Sequence, residues 1–552
     1  MIAMLRGALV RTSGLTRVRR SGYHCRVTQR AYLLSLAGLA LVAMAGSSLD
    51  VMEVDAAQYA AMARDMLAQD DWRKLYHSGL DYLDKPPLLF WLSALSFKLF
   101  GVANWSYKLP SILFAFMGVV ATERFTRLHH DAATSRRAAL MLGASAAFLL
   151  MTNDVRCDAM LMGSVITAIW SGTAFVEQRR WWQVILFALS TAAGLLAKGP
   201  MGAMAPALAV GGQVVLARKW AALRDARWLL VPALVAAALW PMCAGLYEQH
   251  GAHGIRFFFW EQSFGRITGE NRWKDDSSVL FFTHELLWQL LPWTLFLLAG
   301  LWSSVRALIR REALPEYASV TGAVLVFVAL SLSRFKLPHY LYVALPLFAV
   351  MASRAWPLVQ RRWVQLAHTS LQALLAVAAI TLVAWCFPVP SWPLVAAALA
   401  AVLAAVALSR ARIDSLFQRT ALLWMIIGIV LNELVYPQLL VYQGNAQAGR
   451  WLASEDIDRE HVHGIDAGGN ALNFYAGYPV RWVPDVASAL PLIGPGIVFI
   501  VDDARYKELV ALRPEIKDAY RFDDYRVQLL SLGFMMPDTR AAALNGLWVV
   551  RY

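Results

Sequence analysis

The 552-residue chain carries a formal net charge of +13 at pH 7, and 58% of its residues are hydrophobic while only 16% are charged. A typical globular chain has about 25% charged residues. Together with a mean hydropathy of +0.47, this composition excludes a single water-soluble core and the collagen-like and disordered classes. The four cysteines (Cys25, Cys157, Cys243 and Cys386) have no metal-type spacing, so they imply neither a zinc site nor a disulfide framework.

The first thirty residues contain seven arginines and no acidic residue, and an apolar run follows at 31–47. This is the positive-inside pattern of a cytoplasmic basic tail before a membrane span, and it explains the excess charge without a nucleic-acid partner. The alternative is a cleaved signal peptide, because Ala43-Met44-Ala45 resembles a cleavage site. The length of the arginine-rich tail favours the membrane span.

Thirteen apolar segments approach the roughly 20 residues that a spanning helix needs. If the N-terminus is cytoplasmic, every strongly basic turn between them falls on the cytoplasmic side, as the positive-inside rule requires. A further apolar segment at 86–100 spans only about 22 Å at 1.5 Å per residue, so we predict an interfacial or re-entrant helix there. The predicted spans are 31–49, 109–126, 138–153, 159–176, 181–197, 200–217, 228–247, 281–303, 316–333, 338–353, 366–386, 392–408 and 420–440.

Thirteen crossings place the C-terminus outside. From residue 443 onward the chain becomes polar, and short strand-like runs appear at 497–501 and 547–550. We therefore predict a transmembrane domain over 1–442 and a soluble α/β domain over 443–552. Within the first of these, the long outer loops are 48–86 and 248–280.

Charged residues at the outer helix ends are informative, because a charge near lipid costs at least about 2.5–3.5 kcal/mol. In the first outer loop, Asp55 precedes a predicted amphipathic helix at 56–69 that includes Tyr59. The loop ends in an Asp-Lys-Pro-Pro sequence at 84–87, whose prolines hold the acid–base pair rigidly. Each feature also has a plain structural interpretation, Asp55 as a helix cap and 84–87 as a turn.

The other outer loops add more cations and acids. The loop at 248–280 mixes glycine, aromatic and charged residues, which is typical of a mobile flap over a ligand. A lone histidine at 339 is not interpreted as a metal ligand. The additional candidates are Arg156 and Asp158, Lys198, Arg266 in the long loop, and Lys336 with Tyr340 at the rim of 333–340.

This set of side chains fits phosphate chemistry. The cations would bind phosphate, and the acids would bind a metal, a substrate amine or a transferring proton. The sequence has no P-loop and no glycine-rich dinucleotide motif. Because nucleotides are absent outside the cell membrane, an activated group there must arrive on a lipid phosphate. Glycosyl transfer from a polyprenyl-phosphate sugar meets that demand.

Several of these motifs resemble a known family. Asp55 with Gln-Tyr-Ala at 58–60, and Tyr-Leu-Asp-Lys-Pro-Pro at 82–87, resemble the first periplasmic loop of bacterial GT-C glycosyltransferases. Further family motifs follow in order at 156–158, 197–200, 258–269 and 331–338. The resemblance is strongest to the lipid A aminoarabinose transferases, and the superfamily shares the first acid with protein O-mannosyltransferases. The family usually has Glu at the position of Asp84, so that side chain is one methylene shorter here.

The resemblance implies a polytopic helical membrane protein of the GT-C fold. It implies inverting transfer of 4-amino-4-deoxy-L-arabinose from undecaprenyl phosphate to a lipid A phosphate, at the periplasmic face of the inner membrane of a Gram-negative bacterium. Such a modification gives resistance to polymyxin and other cationic peptides, because added amines cancel negative charge. The implied partners are these two lipids and the surrounding membrane, with no nucleic acid. No cofactor is obligatory, although a divalent cation is possible.

The implied roles follow from the chemistry of the reaction. Asp55, Asp158 and Lys85 are the catalytic candidates, with Lys85, Arg266 and Lys336 on the departing phosphate. Asp84 and Asp158 would hold the ammonium of the donor or a divalent ion. The remaining substrate-binding candidates are Tyr59, Tyr82, Arg156, Lys198 and Tyr340, and the candidate metal ligands are Asp55 and Asp84.

Three other functions remain open at this point. A protein O-mannosyltransferase would use Asp55 as a general base toward a Ser or Thr hydroxyl. A transporter or lipid flippase is expected to have charges at the membrane midplane and inverted repeats, whereas the charges here cluster at one face. A scaffold protein would use the C-terminal domain for partner binding, but it would not need the cations of the outer face.

Overall fold

The computed structural model describes residues 27–262, 277–408 and 413–552, with the side chains of 405–415 excepted. Eight helices in this part of the chain are long and apolar enough to cross a membrane, by length and composition. They lie at Gln29–Ser47, Asn104–Arg127, Cys157–Gln178, Trp181–Lys198, Ala226–Glu261, Pro338–Gln360, Arg362–Cys386 and Leu416–Leu440. Shorter apolar helices lie at Leu88–Phe100, Met201–Leu216, Thr294–Ile309, Ala318–Ser331 and Trp392–Leu408.

Helices cover the predicted spans, but two spans predicted as continuous are broken. The segment 138–153 consists of the helices Ala132–Gly143 and Ala146–Asn153. The segment 281–303 consists of Phe281–Gln289 and Thr294–Ile309. In the first case Ser145 caps the second helix by accepting from the N–H of Phe148. In the second, Pro292 lacks the N–H that a continuous helix requires.

Close helix packing in the membrane region depends on glycine. The helices Asn104–Arg127 and Cys157–Gln178 approach so closely that a Cβ atom on Gly163 would lie 2.1 Å from the carbonyl oxygen of Phe114. A Cβ on Gly118 would lie 2.7 Å from the Sδ of Met162. Lipid provides no hydrophobic driving force between helices, so small residues that allow such contact stabilise the bundle.

A buried lysine joins two of the long helices. Lys108 is fully buried in the helix Asn104–Arg127. Its ammonium donates to the carbonyl oxygens of Gly46 at 3.0 Å and Leu49 at 2.8 Å, at the C-terminal end of Gln29–Ser47. The last carbonyls of a helix have no partner within the helix and carry partial negative charge. The lysine therefore satisfies them and places the start of the first outer loop.

The first outer loop has the predicted helix, observed at Asp55–Gln69, followed by a hairpin of Tyr76–His77 and Leu80–Asp81. The apolar segment predicted to be interfacial or re-entrant forms the helix Leu88–Phe100. It packs between Asp55–Gln69 and Asn104–Arg127. Its position relative to the membrane stays a prediction.

The C-terminal part contains a five-stranded mixed sheet. The two strands predicted from sequence are observed at Val498–Asp502 and Asn545–Arg551, and they pair antiparallel. Val462–Ile465 pairs parallel with the first of these, and its other neighbour is Arg481–Val483, also parallel. Asp518–Asp524 pairs antiparallel with Asn545–Arg551 at the opposite edge. The division into domains at residue 443 stays a prediction.

Short helices surround this sheet. The helix Asn470–Ala476 buries Leu472, which packs with Val498 and Val549 of the central strands. The other helices of this part are Gly444–Ser454, Val486–Ala489, Asp503–Leu512, Leu532–Met535 and Pro537–Ala543.

The substitution Gly163→Ala tests the helix packing. The added methyl group collides with backbone, which cannot move without displacing a helix, so we expect a loss of about 1–3 kcal/mol and a lower thermal midpoint in detergent. Gly211→Ala is the matched control, because nothing lies within 4 Å of its Cβ position and alanine is the better helix former. Equal midpoints for the two variants would contradict the packing argument.

Candidate active site

A small polar cavity lies where the first outer loop meets three other segments of the chain. These segments are the start of the helix Cys157–Gln178, the end of Trp181–Lys198, and residues 337–340. Seven of the eleven site residues predicted from sequence line this cavity. The lining consists of Asp55, Tyr59, Lys85, Arg156, Cys157, Asp158, Lys198, Leu337, His339 and Tyr340.

Asp55 is held by an arginine and does not cap its helix. The cap position is Val54, which makes no side-chain hydrogen bond. Instead, the guanidinium of Arg156 donates to Oδ2 of Asp55 at 2.8 Å. The same guanidinium donates to Asp154 through Nε at 3.0 Å and lies 2.9 Å from it through its second terminal nitrogen. Burial disfavours the charged guanidinium, but Asp154 and Asp55 outweigh this and raise the pKa of Arg156.

A second ion pair lies across the cavity. Lys198 is the last residue of its helix, which ends at Gly199 with a φ of 70°. Its ammonium lies 2.5 Å from Oδ1 of Asp158 and 4.1 Å from the centre of the Tyr340 ring. The carboxylate and the π-face of the ring both favour the cation at this site. The lysine that sequence placed at a helix end is therefore part of the cavity wall.

Lys85 is the third cation of the cavity. It pairs with the neighbouring Asp84, and 17% of its side chain is exposed. Burial alone lowers the pKa of this lysine, but the adjacent Asp84 carboxylate outweighs burial and raises the pKa above its ordinary value. Lys85 is therefore a stable cation at neutral pH.

The two predicted tyrosines pack against one aromatic residue. The rings of Tyr59 and Tyr82 contact Phe90 edge-to-face, with centroid distances of 5.6 Å and 6.2 Å. Phe90 is fully buried in the helix Leu88–Phe100. Tyr59 lines the cavity, whereas Tyr82 does not. This aromatic cluster links the helix that carries Asp55 to the segment that carries Lys85.

The remaining predicted residues are not part of the cavity wall. Asp84 adjoins it through its pair with Lys85. Lys336 is 6% exposed, and its ammonium donates to the carbonyl oxygen of Ser277 at 3.1 Å. Arg266 lies outside the described residues, as does 263–276 of the loop predicted to be a flap.

A metal-binding role for two of the predicted carboxylates stays a prediction, and in the structure both are paired with cations. Asp55 is paired with Arg156 and Asp84 with Lys85. Across 27–262, 277–408 and 413–552, no three His, Cys, Asp or Glu side chains come together in a way that could hold an ion. Divalent cations such as Ca²⁺ need a shell of several oxygen ligands.

Sequence reasoning missed two polar contributors to the site. Nδ1 of His339 lies 3.5 Å from Arg156, and its Nε2 lies 3.8 Å from Oδ2 of Asp158, so the imidazole lies between the two ion pairs. Asp154 is the second carboxylate on Arg156. The only signal for His339 was its position between the candidates Lys336 and Tyr340.

The ion pair between Lys198 and Asp158 is expected to be strongly coupled. Removing one partner leaves a poorly solvated charge, so the stability losses of Lys198→Met and Asp158→Asn measured singly should add up to more than the loss in the double variant. The difference, which is the coupling free energy, should be about 0.5–3 kcal/mol. The measurement is a double-mutant cycle on unfolding in detergent. The exposed pair of Arg505 and Glu508 is the matched control and should give nearly additive values. Additivity at 158 and 198 would contradict the proposed pairing.

The chain is similar to glycosyltransferases in sequence. Residues 84–243 match the family described as dolichyl-phosphate-mannose-protein mannosyltransferase. An undecaprenyl phosphate-alpha-4-amino-4-deoxy-L-arabinose arabinosyl transferase of Edwardsiella ictaluri is 25% identical over 316 residues, which are 56% of this chain and 55% of that relative. The enzyme of the same name from Pseudomonas aeruginosa is 27% identical over 316 residues. The matched region therefore spans little more than half the length of these relatives.

A solved structure shows the same fold over nearly the whole chain. The crystal structure of ArnT from Cupriavidus metallidurans bound to undecaprenyl phosphate superposes with a TM-score of 0.73 at 20% identity, covering 94% of this chain and 97% of that one. The apo state of the same protein gives a TM-score of 0.71. The protein is therefore a polytopic helical membrane protein of the GT-C fold, related to the aminoarabinose transferases and the mannosyltransferases.

Proposed function

We propose that the protein transfers 4-amino-4-deoxy-L-arabinose from undecaprenyl phosphate to a phosphate of lipid A. The observation that carries the proposal is the cavity in which Lys85, Arg156 and Lys198 lie with Asp55 and Asp158. Three cations suit two phosphate groups, one leaving and one attacking. Relatives named for this reaction and a fold shared with a protein that binds undecaprenyl phosphate support the same choice.

Lys85 stabilises the departing phosphate. A lysine ammonium has three N–H donors, and Asp84 accepts from it. The other two N–H groups would donate to the phosphate oxygens of the donor lipid. Charge builds on these oxygens as the bond between the phosphate and C1 of the sugar breaks, so a fixed cation favours the transition state over the ground state.

The acceptor needs orientation more than activation. A lipid A phosphate is already an anion, so its oxygen attacks C1 directly and inverts that carbon. The bond from C1 to the donor phosphate breaks as the new bond forms, and no proton is transferred. Asp55 faces the cavity with its charge balanced by Arg156, an arrangement that suits stabilising positive charge on the sugar ring better than removing a proton.

The sugar of the donor carries an ammonium group, which a carboxylate of the cavity would bind. Asp158 and Asp84 are the candidates, since each lies next to a cavity cation and can share its charge with a substrate amine. Arg266 remains a predicted ligand of the departing phosphate. No cofactor is obligatory in the proposed reaction, because the cations of the cavity can bind both phosphates.

We further propose that the cavity faces the periplasm of a Gram-negative bacterium. The basic turns support a cytoplasmic N-terminus and place the first outer loop and the C-terminal part on the other side of the inner membrane. The partners are the donor lipid, lipid A and the surrounding membrane lipids. Added amines reduce the negative charge of lipid A, which lowers its attraction for polymyxin and other cationic peptides.

Asp55→Asn and Lys85→Ala test the catalytic assignment. Each variant loses a charge that acts in the transition state, so we expect transfer to fall by about a hundredfold or more and polymyxin survival to be lost. Lys507→Ala is the control, because this exposed lysine lies in the helix Asp503–Leu512 of the C-terminal part. Near-wild-type protection by either site variant, at equal expression, would refute the assignment.

Mass spectrometry of lipid A separates this proposal from protein O-mannosylation, which the family match at 84–243 keeps as the second candidate. Cells that contain the protein should show lipid A heavier by one pentosamine than cells that lack it. Unchanged lipid A together with mannose on periplasmic proteins would instead support the mannosyltransferase.

A further inference from the structure

A buried carboxylate connects the catalytic loop to the C-terminal part of the chain. Glu53 lies two residues before Asp55, and its oxygens accept from the backbone N–H groups of Asn470 at 2.7 Å and Ala471 at 2.8 Å. Burial raises the pKa of Glu53 to about 7, and the two N–H donors counteract that shift. The donors therefore stabilise the anion where burial opposes it.

The backbone on both sides of this carboxylate is held by the same part of the chain. The N–H of Val51 donates to the hydroxyl of Tyr475 at 2.9 Å. The N–H of Glu53 itself donates to Oε1 of Gln443 at 2.8 Å. Hydrogen bonds between residues about 400 positions apart in the sequence thus fix the path of the segment that leads into the helix Asp55–Gln69.

The third turn of the helix Asp55–Gln69 is also hydrogen-bonded to the C-terminal part. Arg64 is 7% exposed. One of its terminal nitrogens donates to the carbonyl oxygens of Asn473 at 2.5 Å and Phe474 at 3.1 Å. The helix that begins with Asp55 is consequently bonded to residues 470–475 at its entrance and at its third turn.

A glycine in the C-terminal part lies directly against the carboxylate of Glu53. A Cβ atom on Gly469 would lie 2.9 Å from Cδ and Oε1 of Glu53. Gly469 has a φ of −151°, an extended conformation that alanine adopts without strain. An alanine at 469 would therefore displace the Glu53 carboxylate and break its two hydrogen bonds to the backbone.

We propose that Glu53 is a positioning residue that holds Asp55 in the cavity by anchoring the start of its helix to residues 470 and 471. This inference rests on the proposed function. The residues that line the cavity all precede 341, so through this anchor the C-terminal part acts on the cavity without lining it. Arg156 orients the Asp55 carboxylate from the membrane side, while Glu53 places the backbone that carries it.

The experiment compares Glu53→Gln and Gly469→Ala with wild type, in the purified full chain supplied with undecaprenyl-phosphate aminoarabinose and lipid A. Glutamine has one acceptor oxygen and an NH₂ group that would face a backbone N–H. We expect kcat to fall about tenfold in both variants through displacement of Asp55, with KM for the donor within about twofold of wild type, because these residues do not touch substrate. Gly494→Ala is the matched control, since nothing lies within 4 Å of its Cβ position.

Hydrogen exchange of the amides at 51–58 provides a readout that does not depend on activity. We expect faster exchange there in Glu53→Gln and Gly469→Ala than in wild type or Gly494→Ala. In a Glu53→Ala background, adding Gly469→Ala should reduce kcat no further, because the carboxylate that it displaces is already gone. Wild-type kcat and exchange in both single variants would overturn the inference. An inactive wild-type protein would instead overturn the proposed function, and exchange would still decide the role of Glu53.

Discussion

The guanidinium of Arg156 between Asp55 and Asp154 is the interaction on which the candidate site depends. It joins a loop carboxylate to a turn 101 residues further along the chain. Charges at the edge of a membrane are costly unless they are paired, and the cavity meets this requirement three times, with Arg156, Lys198 and Lys85 each held by a carboxylate. The charges of the candidate site are therefore already paired within the protein itself.

The packing of the helical bundle holds these ion pairs in position. Glycines bring neighbouring helices into backbone contact, as at Gly163, and Lys108 closes the end of the first helix where the catalytic loop begins. Loops alone would hold a carboxylate and a guanidinium from distant segments only loosely. Mounted on short connections between packed helices, the same side chains are held in fixed positions relative to one another.

The C-terminal part of the chain also holds the helix that begins with Asp55. Its residues 470–475 bond to the entrance and the third turn of the helix that starts with Asp55. The helical bundle and the mixed sheet thus both hold the start of the helix Asp55–Gln69, through Arg156 and through the partners of Glu53.

Much of this protein could be predicted from its sequence. Hydrophobic composition and the placement of arginine determined a polytopic helical membrane protein, because lipid tolerates little else. The cost of charge at helix ends singled out residues such as Asp55, Lys85 and Lys198 as site candidates. Only the tertiary structure decided that Arg156 binds Asp55, that Lys336 lies outside the cavity wall, that His339 lies between two ion pairs and that Glu53 bonds to residues 470 and 471. These contacts join segments tens to hundreds of residues apart, and local periodicity and composition carry no information about which distant partner a side chain meets.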